Sequence, residues 1–184
     1  MGVSAGGFKA LHRILPMFSI KFPVPLIIVQ HRSADETSGG YLIKSLDKRC
    51  QLQVREAQDK FEIMPGNIYI APGGYHLLVE NEQRLALSLD MPVCYCRPSI
   101  DVLFESAADV FGSGLAGVIM TGANFDGSSG IKTIKSAGGV TIAQNPATSD
   151  AEYMPMSAIK TGFVDHVLDL DGIPTFLTNL LETK

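Results

Sequence analysis

The sequence has no tryptophan, only three cysteines, and few charged residues, which make up 18% of the chain. Its 15 lysines and arginines are outnumbered by 19 aspartates and glutamates and are scattered, so nucleic acid is not an expected partner. No apolar run approaches the roughly 20 residues of a membrane helix, and the N-terminus lacks the pattern of a secretory signal. An odd number of cysteines provides no disulfide framework. These absences favour a cytoplasmic protein without a membrane segment.

What the chain does have is enough apolar sequence for a core, since 46% of its 184 residues are hydrophobic. A chain of this length is most simply one domain, residues 1–184. Continuous apolar runs typical of strands buried on both faces lie at residues 25–30, 115–120 and 140–144, with helical patterns between them. This alternation predicts an α/β fold, Rossmann-like and doubly wound, around a mostly parallel sheet.

The middle of the chain has a different pattern, in which short apolar segments are separated by turns without an intervening helix. They lie at residues 67–71, 76–80 and 84–89. Segments of this kind predict an antiparallel hairpin or meander, which we place at one edge of the sheet.

The pattern Gly-x-Ser-x-Gly occupies residues 2–6 and leads directly into a helical pattern. This is the layout of a nucleophile elbow, in which a sharp strand-to-helix turn lifts the serine clear of the sheet. The flanking glycines allow strained backbone angles and the approach of a substrate. Only residues 1–3 precede Ser4, so the first strand is predicted to be largely missing, and we favour a truncated or wrongly assigned start.

Three residues with the chemistry of acyl transfer follow predicted strands. Ser4 comes after the first strand, His31 directly after the strand at 25–30, and Asp126 six residues after Met120. Ligands of open α/β sheets bind at the carboxyl ends of strands, so these side chains are predicted to converge across one crevice. Each has an ordinary alternative: glycine-rich turns also cap helices or cradle phosphates, a histidine after a strand is often structural, and an aspartate before a helix is often an N-cap.

Other residues compete for the roles of base and acid. The rival bases are the remaining histidines, which are predicted to be structural or solvent-facing: His12, His76 and His166. The rival acids are Asp35 and Asp101, and a carboxylate in the first turn of a helix, such as Asp101, complements the helix dipole without further function. Cys94-x-Cys96 has too few ligands at the wrong spacing for a zinc site, so no metal is predicted.

Seven short segments, spread over the whole chain, form a more specific combination than any single motif. They are residues 2–7 (GVSAGG), 29–31 (VQH), 70–79 (IAPGGYHLLV), 97–104 (RPSIDVLF), 119–127 (IMTGANFDG), 138–144 (GGVTIAQ) and 154–155 (MP). Together they resemble the catalytic domain of CheB, the chemotaxis protein-glutamate methylesterase family. The resemblance implies a Rossmann-like domain, without a cofactor, that hydrolyses γ-glutamyl methyl esters on chemoreceptors, releases methanol and can also deamidate receptor glutamines.

Carried over by position, the resemblance implies that Ser4 is the nucleophile, His31 the general base and Asp126 the acid that orients the base. The predicted oxyanion and substrate-binding residues lie beside these motifs: Ala5, Gly6, Gly122 and Ala123. Members of the family commonly carry an N-terminal receiver domain, for which this sequence has no counterpart. A separate response regulator or methyltransferase is therefore a candidate partner, besides the methylated receptors themselves.

Two other functions are compatible with parts of the sequence. If the shortened elbow has lost its geometry, the chain would be a catalytically impaired interaction or scaffold module of the same fold. The glycine turns at 2–7 and 122–127 also suggest a nucleotide binder, but they match neither a P-loop nor a dinucleotide fingerprint. The esterase is the predicted function, and the impaired module is its alternative.

Overall fold

The computed structural model describes residues 1–32 and 39–182, in which strands and helices alternate as the apolar patterns predict. The strands are β1 (Gly2–Val3), β2 (Leu26–Gln30), β3 (Gln53–Glu56), β4 (Asn67–Ile70), β5 (His76–Asn81), β6 (Arg84–Ser88), β7 (Ala116–Ile119), β8 (Val140–Gln144) and β9 (His166–Leu168). The helices are α1 (Gly7–Ile14), α2 (Gly39–Asp47), α3 (Ile100–Phe111), α4 (Ser128–Ser136), α5 (Tyr153–Lys160) and α6 (Gly172–Glu182). Among these residues, none of the helices combines the length and the apolar character needed to span a membrane.

Seven strands form one parallel sheet in the order β3-β4-β2-β1-β7-β8-β9. From the central β1 the chain moves to the neighbouring β2, then to the edge strand β3 and back to β4 between them, and it crosses to the other side of β1 with β7. This reversal is the switch point of a doubly wound fold, where the loops that follow β1, β2 and β7 meet. The predicted fold class is confirmed.

Helices cover both faces of this sheet and form two apolar layers. On one face α1, α2 and α6 bury side chains such as Leu11, Leu46 and Ile173. On the other face α3 and α4 bury Phe104 and Ile131, together with the β5–β6 hairpin. Removing one such side chain from water stabilises the fold by about 1.5–3 kcal/mol, so these layers hold the sheet and its loops in place.

The antiparallel sheet contains fewer of the predicted strands than expected, because only β5 and β6 form it. Strand β4 lies in the parallel sheet between β3 and β2, where it is buried as an internal strand must be. Strands β5 and β6 form a separate antiparallel sheet, and residues 60–63 run beside β6 instead of β4. Lys60 N donates to Leu85 O (2.9 Å), and Leu85 N donates to Phe61 O (2.8 Å). A run of short apolar segments does not reveal which neighbour each one pairs with, which explains the difference.

The central strand β1 has two residues, as the sequence predicts, and it is paired on both sides. Val3 O accepts a hydrogen bond from His31 N (3.0 Å) at the end of β2. Gly2 O accepts one from Met120 N (3.0 Å) at the end of β7. The backbone that leads into Ser4 is therefore held by both neighbouring strands.

The amino end of β1 opens into an apolar cavity of about 390 Å³ that lies between β2 and β7. Met1 lines this cavity, and its amine donates to Ile27 O (2.7 Å). Burial lowers the pKa of this amine to about 5. Further lining residues come from both strands and from the helices on both faces: Leu26, Leu103, Phe104, Ala116 and Leu177.

Candidate active site

Ser4 and His31 come together because their strands are in register. Val3 of β1 pairs with Gln30 of β2, so Ser4 and His31 are the next residues on two neighbouring strands. Strands in a sheet lie about 4.8 Å apart, which sets the spacing of the two backbones. On its other side, Ser4 N donates to Thr121 O, just after β7 (2.9 Å). The serine thus lies at the switch point of the sheet.

The turn after β1 depends on a glycine and on neighbouring side chains. Gly6 precedes α1 with a φ of 78°, in the left-handed region that favours glycine. A Cβ atom at this position would lie 2.9 Å from Thr121 Oγ1. Gly7 N donates to Ser4 O (2.8 Å), and Gln30 Nε2 donates to the same oxygen (3.1 Å). These contacts shape the elbow although only two strand residues precede it.

His31 and Asp126 are bonded directly, with Nε2 of the ring 2.6 Å from Oδ2 of the carboxylate. The His31 side chain is 10% exposed and that of Asp126 is fully buried, so the pair is shielded but the ring can be reached. Because Nε2 is engaged by the carboxylate, Nδ1 is the nitrogen left to face other groups. Within the described residues, the Ser4 hydroxyl makes no hydrogen bond to either ring nitrogen.

Asp126 is anchored at the N-terminus of α3, where the helix dipole and free N–H groups favour a negative charge. Ser99 Oγ donates to Oδ1 (2.8 Å), Ile100 N to Oδ2 (2.6 Å) and Asp101 N to Oδ1 (3.0 Å). With His31 Nε2, the carboxylate has four donors, which matches the roughly four lone-pair sites that a carboxylate offers. Asp126 is therefore fixed in orientation and has no oxygen left for another partner.

The side chain of Ile100 packs against both turns of the site and is fully buried. A Cβ atom at Gly2 would lie 2.5 Å from Ile100 Cγ2, and one at Gly127 would lie 2.8 Å from the same atom. Gly127 also has a φ of 93°. The residues that flank Ser4 and Asp126 thus have room for glycine alone at these two positions.

Two further side chains lie against Nδ1 of His31. Cys96 Sγ is 3.7 Å from Nδ1, and Asn124 Nδ2 is 3.3 Å from it. Asn124 Nδ2 also lies 3.2 Å from Cys96 Sγ. The three atoms form a compact triangle on the side of the ring that faces away from Asp126.

A tight turn at residues 93–96 brings Cys96 to this place. Val93 N donates to Cys96 O (3.1 Å), and Cys96 N donates to Val93 O (2.8 Å). The two central residues, Cys94 and Tyr95, have φ values of 50° and 62°, the left-handed angles of a type I′ turn. Such angles are uncommon for residues other than glycine. The position of the thiol therefore rests on an unusual backbone conformation.

His31 and Asp126 stabilise each other's charged forms. Burial lowers the pKa of His31, but the hydrogen bond to Asp126 and the neighbouring Cys96 outweigh burial and raise the pKa from 6.5 to about 9. Burial raises the pKa of Asp126, but hydrogen bonds from His31 and from the N-terminus of α3 lower it below its usual value. The pair is thus an imidazolium and a carboxylate at neutral pH.

Asp101, one of the two rival acids, makes no hydrogen bond to His31 within the described residues. Asp101 Oδ1 accepts a hydrogen bond from Gly130 N (2.7 Å), which ties α3 to α4. Burial and the nearby carboxylate of Asp126 raise the pKa of Asp101 to about 6. Asp35 lies outside the described residues.

Among the described residues, the other histidines do not contact the Asp126 carboxylate, although His76 Nδ1 accepts a hydrogen bond from Ser99 N (3.2 Å). His12 is half-buried rather than solvent-facing, with Nε2 2.8 Å from Ser45 Oγ. His76 is buried, and its Nε2 lies 3.1 Å from Met91 O. His166 is an exposed residue of β9. Among the histidines, only His31 meets a carboxylate at the switch point in the described structure.

The predicted oxyanion residues surround the crevice but differ in whether their amides are free. Gly122 N donates to Ala151 O (2.9 Å) and is occupied. Among the hydrogen bonds of the described residues, none uses the N–H of Ala5 or Ala123, and both residues are exposed. Gly6 shapes the turn beside them. Ala5 and Ala123 therefore keep their predicted role as donors, whereas Gly122 has no free N–H for it.

Five residues of the site were missed as site residues in the sequence: Gln30, Cys96, Ser99, Thr121 and Asn124. Gln30 and Thr121 directly adjoin strand ends, so the rule that singled out His31 could have found them. Ser99 lies at the predicted start of α3, but nothing indicated that its hydroxyl would bind Asp126. Cys96 and Asn124 lie in loops whose sequence carries no comparable signal.

Comparison with known proteins gives consistent matches over the whole chain. The family model for CheB methylesterase matches residues 1–177. A candidate protein-glutamate methylesterase/protein-glutamine glutaminase of Leptospira interrogans is 44% identical over 180 residues, which cover 98% of this chain and 92% of that protein. The protein-glutamate methylesterase/protein-glutamine glutaminase of Symbiobacterium thermophilum is 38% identical over 97% of this chain but 49% of its own length. The chain thus spans about half the length of this second relative.

A solved structure has the same architecture. The crystal structure of the Thermotoga maritima CheB methylesterase catalytic domain superposes with a TM-score of 0.92 and 36% sequence identity. The match covers 97% of this chain and 95% of that domain. With its switch-point crevice and its His–Asp pair beside a serine, the chain belongs to the CheB methylesterase family.

Proposed function

We propose that the chain hydrolyses γ-glutamyl methyl esters on the cytoplasmic domains of chemoreceptors, with Ser4 as nucleophile, His31 as base and Asp126 as the residue that orients the base. The observation that carries the assignment is the 2.6 Å bond between His31 Nε2 and Asp126 Oδ2, next to Ser4 in strand register. The names of the relatives support both halves of the activity, ester hydrolysis and glutamine deamidation.

In the first half-reaction, Nδ1 of His31 takes the proton of the Ser4 hydroxyl as Oγ attacks the ester carbonyl carbon. Nδ1 is the acceptor because Nε2 is held by Asp126. The contact between Ser4 and His31 is made when substrate occupies the crevice, as catalytic contacts often tighten only then. The tetrahedral intermediate collapses, and the methoxy group leaves as methanol with the proton from His31.

In the second half-reaction, water gives a proton to Nδ1 and attacks the acyl group on Ser4. Collapse of this intermediate releases the glutamate carboxylate and returns the proton to Ser4 Oγ. For a glutamine side chain, ammonia leaves in place of methanol in the first half. Asp126 stays ionised throughout and stabilises the imidazolium.

The negative oxygen of each tetrahedral intermediate needs N–H donors aimed at it. Ala5 follows Ser4, and Ala123 follows Thr121, which bonds Ser4 N; both residues are exposed, and their backbone N–H groups are the donors that we assign to this oxygen. One such donor contributes about 10²–10³-fold to kcat in other acyl-transfer enzymes.

The substrate is a protein, and exposed apolar side chains lie at the rim of the crevice. Tyr95 is fully exposed next to Cys96, and Phe125 is 51% exposed next to Asp126. Receptor methylation sites lie on cytoplasmic domains, so we assign the reaction to the cytoplasm. A separate response regulator or methyltransferase is the partner that we expect to control access.

Labelling with a fluorophosphonate probe tests the nucleophile, and methanol release from a methylated receptor fragment tests the activity. We expect labelling of the wild type and none of Ser4→Ala. The methanol assay should lose about 10⁶-fold in kcat with Ser4→Ala or His31→Ala, as in other serine hydrolases.

A matched control is Ser128→Ala, a serine at the start of α4 outside the triad. It should label and turn over like the wild type. A folded wild type, checked by circular dichroism, that neither labels nor releases methanol would favour the impaired-module alternative.

A further inference from the structure

His31 belongs to a compact cluster of potential metal ligands on the side of the ring that faces away from Asp126. Its Nδ1 lies 3.7 Å from Cys96 Sγ, and Asn124 Nδ2 lies within 3.3 Å of both atoms. We propose that this cluster binds one soft divalent metal ion, Zn²⁺ above all, and that the bound ion competes with Ser4 for His31.

The separation of the sulfur and the nitrogen fits a shared zinc ion. With a Zn–S bond of about 2.3 Å and a Zn–N bond of about 2.0 Å, the two ligand atoms of a tetrahedral site are roughly 3.6 Å apart. The distance between Cys96 Sγ and His31 Nδ1 is 3.7 Å. The two ligands therefore need little movement to hold the ion.

Asn124 offers a third ligand. Its amide nitrogen lies 3.2 Å from Cys96 Sγ and 3.3 Å from His31 Nδ1. A half-turn of the amide would put the oxygen in this place, where tetrahedral zinc geometry requires about 3.4–3.6 Å from the other two ligands. The half-turn gives up the 3.2 Å bond that Asp126 N donates to the oxygen now, and it replaces the contacts of Nδ2 with Cys96 and His31 by bonds to the ion.

Asp126 supports the ion without binding it. Metal-binding histidines usually donate their second N–H to a carboxylate, which fixes the ring and makes it a stronger ligand. His31 Nε2 has this partner, and the four donors around Asp126 leave the carboxylate no free oxygen for the ion. The ion is thus confined to the Nδ1 side, with one coordination position open to water.

The chemistry of the ligands decides which ions bind and how a bound ion affects the reaction. A thiolate and an imidazole favour Zn²⁺, Co²⁺ or Cd²⁺ over Mg²⁺ or Ca²⁺, which prefer oxygen ligands. An ion on Nδ1 occupies the lone pair that would take the Ser4 proton. Metal binding is inferred from the cluster geometry alone, whereas inhibition of hydrolysis rests on the proposed function.

Co²⁺ serves as the probe for binding, because Co²⁺ bound to a thiolate has a charge-transfer absorption band. Wild-type chain freed of metal should develop this band on Co²⁺ addition and lose it when Zn²⁺ displaces Co²⁺. Cys96→Ala and Cys96→Ser should not develop it. Cys50→Ala, a substitution of the core-facing cysteine, and Cys94→Ala should both retain it, since Cys94 Sγ faces Asp101 rather than His31.

Methanol release measured in parallel tests the consequence. Inhibition of each protein is measured against its own metal-free rate. The Zn²⁺ concentration that gives half-inhibition should be at least about tenfold higher for Cys96→Ala than for the wild type, because even a lost outer-shell partner costs roughly 10–100-fold in affinity. Mg²⁺ should not inhibit. No Co²⁺ band in the wild type, or a band that survives both Cys96 substitutions, overturns the site.

If the Co²⁺ band depends on Cys96 but Zn²⁺ does not inhibit methanol release, the proposed competition with Ser4 is overturned. If the metal-free wild type releases no methanol, the proposed function fails, and the absorption band still decides the metal site on its own.

Discussion

The two ends of the short strand β1 are built in opposite ways. At its carboxyl end, polar groups are bonded in series, and Asp126 alone accepts four hydrogen bonds. At its amino end, Met1 borders an apolar cavity of about 390 Å³ between β2 and β7. One end is dense and polar, and the other is loosely filled and apolar.

This contrast shows that Ser4 is held by groups beside β1. The serine is fixed by Thr121 on one side and by the register with β2 on the other. The Gln30 side-chain amide also donates a hydrogen bond to Ser4 O. Rigidity at the carboxyl end thus comes from the neighbours of β1, so we expect the two ends to respond separately to substitution.

Among substitutions that leave Ser4 and His31 in place, the largest effect is expected from Asp126→Asn at the polar end. The amide would keep part of the packing but would leave His31 poorly oriented and without its counter-charge, so kcat should fall about 10⁴-fold. Methanol release from a methylated receptor fragment measures the loss.

Asp101→Asn is the matched control, because Asp101 lies in the helix turn whose N–H groups hold Asp126, but its own carboxylate bonds to Gly130 N. It should retain most of the activity and instead loosen the contact between α3 and α4. Equal losses of activity in the two variants, or a greater loss with Asp101→Asn, would show that Asp126 is not the acid that orients His31.

The pH profile should report the same pair. His31 must be neutral to act as a base, and its pKa is raised to about 9. In metal-free buffer, kcat/KM should therefore rise about tenfold per pH unit above pH 7 and level off near that pKa. A midpoint at or below 6.5 would contradict the role of the ion pair.

Stability should change in the opposite direction over this range. Because the folded-state pKa of His31 is raised, the stabilisation from its charge is complete below the unfolded value of 6.5 and is lost as pH rises through about 9. Asp126→Asn should remove most of this pH dependence, which urea unfolding at several pH values can measure.

The smallest effect on activity is expected at the apolar end. Leu26 is buried and lines the cavity, so Leu26→Ala should lower the free energy of unfolding by about 2–5 kcal/mol. The kcat/KM of the folded protein should stay within a few-fold of the wild type. Ser4→Ala is the counterpart, with activity abolished and stability changed by no more than about 0.5 kcal/mol. A large loss of kcat/KM in Leu26→Ala would show that the two ends are coupled.

The alternation of apolar runs was enough to predict the doubly wound sheet, since buried parallel strands and amphipathic helices leave distinct patterns. It was not enough to place β4, because a strand of four residues fits an edge or the interior equally well by composition. The pairing of residues 60–63 with β6 depends on packing beneath the hairpin, which no local pattern encodes.

For the site, position after a strand singled out Ser4, His31 and Asp126, and topology brings His31 and Asp126 into contact, while their catalytic roles stay predictions. Position after a strand did not predict that Cys96 lies beside His31, which is 65 residues away in sequence. Cys96 reaches the ring only through the left-handed angles of Cys94 and Tyr95. The spacing of Cys94 and Cys96 argues against a zinc site built from these two residues, and it says nothing about a ligand that the fold supplies.

Ile100 links the two halves of the site by its bulk as well as by its backbone. Its N–H holds Asp126, while its side chain fills the space that a Cβ at Gly2 or Gly127 would need. A larger residue at Gly2 would therefore displace Ile100, and one at Gly127 would meet both Ile100 and Ile119. One side chain thus constrains both the serine turn and the aspartate turn, and a library that varies Gly2 or Gly127 will return mostly inactive clones.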